Sequence, residues 1–411
     1  MAVPAKRTSG SFVSWLGMSA VYLDYNASSP LDPRVADVMF DSMRSGLGNP
    51  ASAHSFGRRQ AAATDDARDL VAQLVGGWPG GVVFTSGATE ANNLALRGLA
   101  EGSGPTRRRV LVSAVEHASV LETAARLEEQ NIATVGLIPV TRAGVVDLSA
   151  LESMLAPDVL AVSVMAANSE TGILNPIAEV ASLAHSVGAL VHCDATQALG
   201  RVPFDQAEVG ADFVSLSGHK FCGPGGTGAL VGTRRSLPRL TPVLHGGGQE
   251  RGLRSGSLNV VGIVGLGAAA GLAVTEGTTD AERVAVLRDR LVALLMARLP
   301  EVEEIGDPAR RLPNTASIRF VGADAEAVVV NSDPVAFSTG SACSSGSIEP
   351  SRVLTAMGLD QDEAFEVVRF SAGRFTRDAD ISAAAEITVT AVEYVRHMTR
   401  EAPIDAARRS S

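Results

Sequence analysis

Ser217-Gly218-His219-Lys220 sets a lysine at the end of an apolar run and ahead of Phe221-Cys222-Gly223-Pro224-Gly225-Gly226. The preceding Ala211-Asp212-Phe213-Val214-Ser215-Leu216 alternates as a strand does, and delivers Ser217, His219 and Lys220 into a glycine-bounded loop. A lysine presented there can form an imine with an aldehyde; taken alone, the segment equally describes a solvated loop. Val191-His192-Cys193-Asp194-Ala195-Thr196-Gln197 puts an acid at the C-terminal end of a buried strand, where ligands of open α/β sheets bind. That carboxylate suits a protonated pyridine nitrogen, and by itself would also serve as the cap of a following helix. Phe84-Thr85-Ser86-Gly87-Ala88-Thr89-Glu90 runs from a strand through a glycine turn into a helix expected from about Ala91. Backbone N–H groups there, with the Thr89 hydroxyl, make a phosphate cradle or a plain helix cap. The GxxxxGK[ST] spacing of a Walker loop is absent.

Two further segments carry chemistry. His117, in Val115-Glu116-His117-Ala118-Ser119, follows a strand and can stack on a planar ring and move protons near neutrality. Cys343 lies within Ser338-Thr339-Gly340-Ser341-Ala342-Cys343-Ser344-Ser345-Gly346-Ser347, small polar surroundings that suit an exposed nucleophilic thiol better than a core. Lysine, acid, phosphate cradle and ring-stacking histidine together describe a site for pyridoxal phosphate.

The elements that must hold these groups follow from the apolar pattern. Strands are expected at Val82–Phe84, Val110–Val112, Leu160–Val164, Ala189–Val191 and Phe213–Leu216, with helices such as Ala118–Gln130 and Ile177–Val187 between them. Such alternation argues for an α/β fold with a mostly parallel sheet covered on both faces. Leu230-Val231-Gly232 follows closely enough to pair antiparallel. Polar Thr275–Asp280 marks a boundary between a Gly/Ala-rich helix and a charged one with Val284, Leu287, Leu291 and Leu295 at helical spacing. We therefore expect a large domain over 30–275, and a smaller α+β domain from 18–29 and 276–400. Disorder is expected over 1–17 and 401–411.

Composition bounds the function. The chain has 411 residues, 45% hydrophobic with 41 glycines, enough for two domains and a substantial core. A formal net charge of −10 disfavours direct nucleic-acid binding, which needs clustered Lys and Arg. Arg107-Arg108-Arg109 is the one short basic run and reads as a solvated strand entrance. Three widely spaced cysteines supply neither a disulfide framework nor a metal site, and fit a reducing cytoplasm. The first twenty residues lack the form of a secretory signal, and Val260–Val274 falls short of a membrane span; it reads as a closely packed helix.

From Val21 to about Arg400 the chain resembles the cysteine desulfurases of the NifS/IscS type, within the class V aminotransferase group of pyridoxal-phosphate enzymes. The matching pieces include Tyr22–Ala27, Gly48–His54, Thr85–Asn93, Glu116-His117, Asp194–Gln197, Ser217–Lys220, His245–Gly252 and Arg254–Ser257. Gly340–Cys343 and Arg369–Phe375 complete them, and the long loop up to Ile348-Glu349-Pro350-Ser351 is similar to that of the family's group I.

The resemblance implies a fold-type I homodimer acting on L-cysteine. Lys220 becomes the covalent anchor of the coenzyme, Asp194 the partner of its pyridine nitrogen, Gln197 a contact of its phenolic oxygen and His117 the stacking group. Ala88, Thr89, Ser217 and His219 would hold the phosphate, with Ser257 contributed from the second subunit. Arg369 would clamp the substrate carboxylate ahead of Arg374, with Asn49 as a second contact. Lys220 would then move the Cα proton, and the Cys343 thiolate would take the sulfur as a persulfide, releasing alanine. A sulfur-acceptor protein would relieve it.

Two departures stand out. Ser169 stands where the family has a second Asn against the phenolic oxygen, and Asn168, on the opposite face if the segment is a strand, cannot replace it. The tail Glu401–Ser411 does not resemble the scaffold-docking segment of the IscS branch. A selenocysteine lyase, sharing most cofactor contacts, or another class V aminotransferase-like enzyme is the alternative activity.

Overall fold

The computed structural model describes residues 20–340 and 349–401. Cys343 and the expected disordered stretches 1–17 and 402–411 lie outside the described residues, whereas Glu401 closes the last helix. The described residues open with strand β1 (Val21–Tyr22) and helices α1 (Pro33–Ser45) and α2 (Ser55–Val75). Then strands and helices alternate: β2 (Val82–Thr85), α3 (Ala88–Glu101), β3 (Arg109–Ser113), α4 (Ala118–Glu129), β4 (Thr134–Ile138), α5 (Leu148–Met154) and β5 (Val159–Ser163). They continue through α6 (Ile177–Ser186), β6 (Leu190–Asp194), α7 (Gln206–Val209), β7 (Phe213–Ser217) and β8 (Gly228–Gly232).

These strands form a seven-stranded sheet in the order β2-β8-β7-β6-β5-β3-β4. β4, β3, β5, β6 and β7 are parallel, and β8 runs antiparallel between β7 and β2. Every residue of β5, β6 and β7 is buried, which requires cover on both faces. Alternation divides them: Val162, Val191 and Val214 join a core with Val71, Val75 and Leu266, whereas Ala161, Leu190 and Phe213 pack with Leu94, Leu99 and Val120.

The long helix α8 (Val260–Arg298) leads to a second assembly: β9 (Val302–Glu304), β10 (Thr315–Phe320), α9 (Ala325–Asn331), β11 (Val335–Ala336) and β12 (Ser338–Thr339). It ends with α10 (Arg352–Ala356), α11 (Gln361–Phe365), β13 (Val367–Ser371) and α12 (Asp378–Glu401). β12-β13-β10-β9 form an antiparallel sheet, and β1 returns from the N-terminus to pair with β11.

The polar stretch Thr275–Asp280 is not a break between two helices. α8 runs through it for 39 residues, from a core containing Ile263, Leu266 and Ala270 to one containing Val284, Leu287, Leu291 and Leu295. Its charges serve ion pairs: Glu276 meets Arg34 at 2.6 Å and Asp280 meets Arg374 at 2.7 Å. α8 has the length and apolarity of a membrane span by composition, yet half of its most apolar window is buried in the protein. There it crosses α2 so closely that a Cβ on Gly267 would fall 2.6 Å from the Ala67 Cα. The arginine run is also more than a solvated entrance. Arg107 donates to the carbonyls of Val159, Val187 and Gly188, and Arg109 to Met154, capping chain ends at the rear of the sheet.

Candidate active site

The strands of the large sheet end at a cavity of about 240 Å³. Of the residues singled out from sequence, Ala88, Thr89, His117, Ser169, Asp194, Gln197, Ser217, His219, Lys220 and Arg369 all line it. Elements far apart in sequence converge there because the parallel strands share one direction, so their C-terminal loops gather at one edge.

Asp194 is the last residue of β6 and is buried. Its Oδ2 accepts from Asn92 Nδ2 at 2.8 Å and its Oδ1 from the Thr196 N–H at 3.0 Å. These neutral donors hold the carboxylate without neutralising it. Asn92 was absent from the residues expected at the site: it reaches Asp194 from the first turns of α3 and also donates to Ser119. α3 begins at Ala88 rather than near Ala91, and no side chain caps its start at Gly87. Its first amides therefore face the cavity with the partial positive charge of a helix N-terminus.

His117 caps α4; its Nδ1 accepts from the Ser119 N–H at 3.0 Å and lies 2.8 Å from the Ser119 hydroxyl. That fixes the ring's orientation. Ser217 Oγ is 3.0 Å from His219 Nδ1, and burial, with Lys220 and Arg201 nearby, pulls the His219 ring down to about 4. The neutral imidazole can serve as a hydrogen-bond partner rather than a fixed charge.

Lys220 follows β7 and directs Nζ to the carbonyl oxygens of Asn26 at 2.6 Å and Ala27 at 2.8 Å. A compositional signal for it was available in the sequence: Lys6 and Lys220 are the chain's only lysines, every other basic residue of their kind being arginine. Arg201 is a second residue missed from sequence. It donates to the Gln197 Oε1, Asn26 Oδ1 and the Tyr25 and Lys220 carbonyls. With Oε1 so engaged, Gln197 presents its NH₂ as donor, one proton going to the Asn26 carbonyl. Burial draws the Arg201 guanidinium down to about 10, still charged at neutrality.

Arg369, in β13, is buried at 1% exposure and donates to Asp24 Oδ1 at 2.6 Å and to the Ser169 carbonyl at 3.1 Å; its Nε is unpartnered. Arg374 is instead held by Asp32 and Asp280, outside this cavity. Asn168 and Ser169 occupy a turn, not a strand: Asn168 Oδ1 accepts from the Glu170 and Thr171 N–H groups, so its side chain is spent on the turn. Asn49 and Ser257 are exposed and not among the residues lining the cavity in this single chain. Asn49 accepts from the Ala51 N–H instead. Among the described residues no cluster of His, Cys, Asp and Glu forms a metal site.

Behind Asp194, His192 is fully buried between the hydroxyls of Ser163 at 2.8 Å and Ser215 at 2.9 Å. Burial lowers its pKa, with Asp194 opposing. The ring is neutral in the fold, so below about pH 6.5 the unfolded chain binds the extra proton and stability falls with pH. Urea midpoints are expected to drop between pH 7.5 and 5.5, and His192→Gln to flatten that slope. An equal slope in the variant would assign the acid sensitivity elsewhere.

The model of the aminotransferase class-V family matches residues 21–383. A protein of Frankia sp. (strain EuIK1) named "Cysteine desulfurase" is 45% identical over 393 residues, covering 93% of this chain and 94% of that protein. The solved structure of a "NIFS-LIKE PROTEIN" superposes with a TM-score of 0.85 at 34% identity, covering 91% of this chain and all of its own. A structure titled "SspA in complex with cysteine" gives 0.76 at 30%, covering 87% and 100%.

Proposed function

The chain belongs to the class-V aminotransferase family, among its cysteine desulfurases, and from that premise we propose how its own residues divide the work. Enzymes of this family use pyridoxal phosphate, and the residues present suit that group. An uncapped helix start suits a phosphate, a buried carboxylate at a strand end suits a pyridinium, and the one lysine on the cavity suits an aldehyde. The coenzyme, when bound, supplies an electron sink for the charge left at the substrate's Cα. Ala88, Thr89, Ser217 and His219 would hold the phosphate, Asp194 would pair with the ring nitrogen and favour its protonated form, and His117 would be the stacking group. Gln197 would donate to the phenolic oxygen, and the Ser169 hydroxyl, which also lines the cavity, would stand in for the missing amide.

Arg369 orients L-cysteine by its carboxylate. The unpartnered Nε and the remaining Nη protons leave it donors to spare. Lys220 carries the proton from Cα. Cys343 attacks the substrate sulfur, keeps it as a persulfide and passes it to an acceptor protein, while alanine leaves. The observation that carries this reading is the convergence of Lys220, Asp194 and Arg369 on one cavity.

We read the enzyme as a homodimer: Ser257 is exposed on its own chain and free to complete a partner's phosphate site, and Phe40, Met43, Leu47 and Phe56 leave an apolar surface open. Separate hydrophobic cores support a large domain over 30–275 and a small one from 18–29 and 276–400. Unbridged, buried Cys193 and Cys222 accord with a cytoplasmic enzyme.

Purified protein given L-cysteine and a reductant is expected to yield alanine and sulfide in equal amounts, from material with a visible coenzyme band and twice the chain mass. Selenocysteine should not be processed once Cys343 is removed; if it is, the lyase reading takes precedence.

A further inference from the structure

Arg201 has no place in the division of work given above, yet it holds several of the parts that do. It stands in the turn after β6, four positions beyond Gln197. Its Nη1 donates to Asn26 Oδ1 at 2.8 Å and to Gln197 Oε1, and its Nη2 to the Tyr25 and Lys220 carbonyls, each at 3.1 Å. All four acceptors are neutral oxygens. Among the described residues no carboxylate forms an ion pair with it, whereas Arg369 and Arg374 each meet one. Burial lowers its pKa but leaves it charged at neutrality. A cation held by neutral oxygens alone keeps its charge available to an incoming anion.

The guanidinium settles which way the Gln197 amide points. Arginine offers donors only, so the amide must turn its oxygen toward it and its nitrogen away. One Nε2 proton goes to the Asn26 carbonyl at 3.0 Å, the same oxygen that receives Lys220 Nζ. The other is left for a ligand in the cavity that Gln197 lines. A reversed amide would set NH₂ against the guanidinium and present an oxygen to the cavity instead. The charge on Oε1 also polarises the amide and makes its N–H groups stronger donors. Ser169, the other side chain read against the phenolic oxygen, carries a hydroxyl on a shorter stem than an asparagine amide, and its carbonyl is taken by Asn26 and Arg369. Donor strength at the phenolic oxygen therefore falls mainly to Gln197.

We propose that Arg201 is a positioning residue for the coenzyme's phenolic oxygen: it fixes Gln197 with NH₂ toward that oxygen and lends the amide its positive charge, offsetting the amide missing at Ser169. This rests on the reading of Gln197 as the contact of the phenolic oxygen. Its consequence is selective. Affinity that depends on the phenolic oxygen should depend on Arg201, and affinity for the rest of the coenzyme should not.

The test uses the full-length chain, resolved of coenzyme, and measures the Kd of pyridoxine phosphate and of its 3-deoxy analogue, which lacks only the phenolic oxygen. Neither carries an aldehyde, so Lys220 is not engaged covalently. Arg201→Met is expected to weaken pyridoxine phosphate about tenfold or more and the deoxy analogue by less than about twofold. Arg201→Gln keeps donors for the neighbouring carbonyls without the charge, and decides the matter if the methionine variant does not fold. It should lose at least about threefold on pyridoxine phosphate alone. In a Gln197→Leu background Arg201→Met should add less than about twofold, because the effect travels through that amide. Equal losses on the two compounds, undiminished binding of pyridoxine phosphate, or a full further loss in the Gln197→Leu background would each overturn the proposal alone. A Gln197→Leu variant that binds both compounds as the wild type does would overturn the phenolic contact, and the proposal with it.

Discussion

Replacing Lys220 by alanine is expected to lower L-cysteine turnover at least about a thousandfold and to abolish covalent retention of pyridoxal phosphate. The expectation rests on scarcity as much as position. Lys220 is the one lysine lining the cavity and the one lysine among the described residues, Lys6 being the chain's other. Among the described residues no other amine stands beside it to take over. The carbonyls of Asn26 and Ala27 hold its Nζ in the cavity that Asp194 and Arg369 also line, so position and chemistry are lost together. Borohydride reduction of the wild-type holoenzyme should fix the coenzyme's mass on the single peptide containing Lys220, and the variant should release its coenzyme on dialysis. Coenzyme fixed on any other peptide would remove Lys220 from its assigned place.

The second large effect is expected from Cys343→Ala: loss of sulfide release by at least about a thousandfold, with the coenzyme absorption band intact. The other two thiols are physically disqualified. Cys193 lies fully buried in β6, where desolvation and the nearby Asp194 and Glu116 carboxyls raise its pKa well above the ordinary thiol value. Burial pushes Cys222 up to about 11. Neither offers a thiolate at neutral pH, and neither lines the cavity at the strand ends. Mass analysis after one turnover should show a persulfide on the Cys343 peptide alone. Undiminished sulfide release from the variant would break the link between this thiol and the chemistry.

Much of this is legible in the amino-acid sequence. The strand–turn–helix at 82–101, the acid closing β6 and the lysine just after β7 are local events. Hydrophobic period, glycine placement and the order of motifs suffice to find them. β4 escaped because Thr134–Ile138 is a half-exposed edge strand with a glycine in its middle, which dilutes the apolar run. The polar stretch at 275–280 misled for the opposite reason: Glu276 and Asp280 resemble linker residues in composition, yet they are placed to pair with Arg34 and Arg374.

The sequence by itself determined the class of fold, the candidate residues and the strand ends at which Asp194 and Lys220 stand, because those depend on neighbours within a dozen residues. Only the tertiary structure decided what supports them. Asn92 reaches Asp194 across 102 positions, Arg201 meets Asn26 across 175, and Asp24 meets Arg369 across 345. Such pairs leave no periodic trace in a single chain. They exist because buried polar groups must find partners wherever packing brings them, and packing is set by the whole core at once.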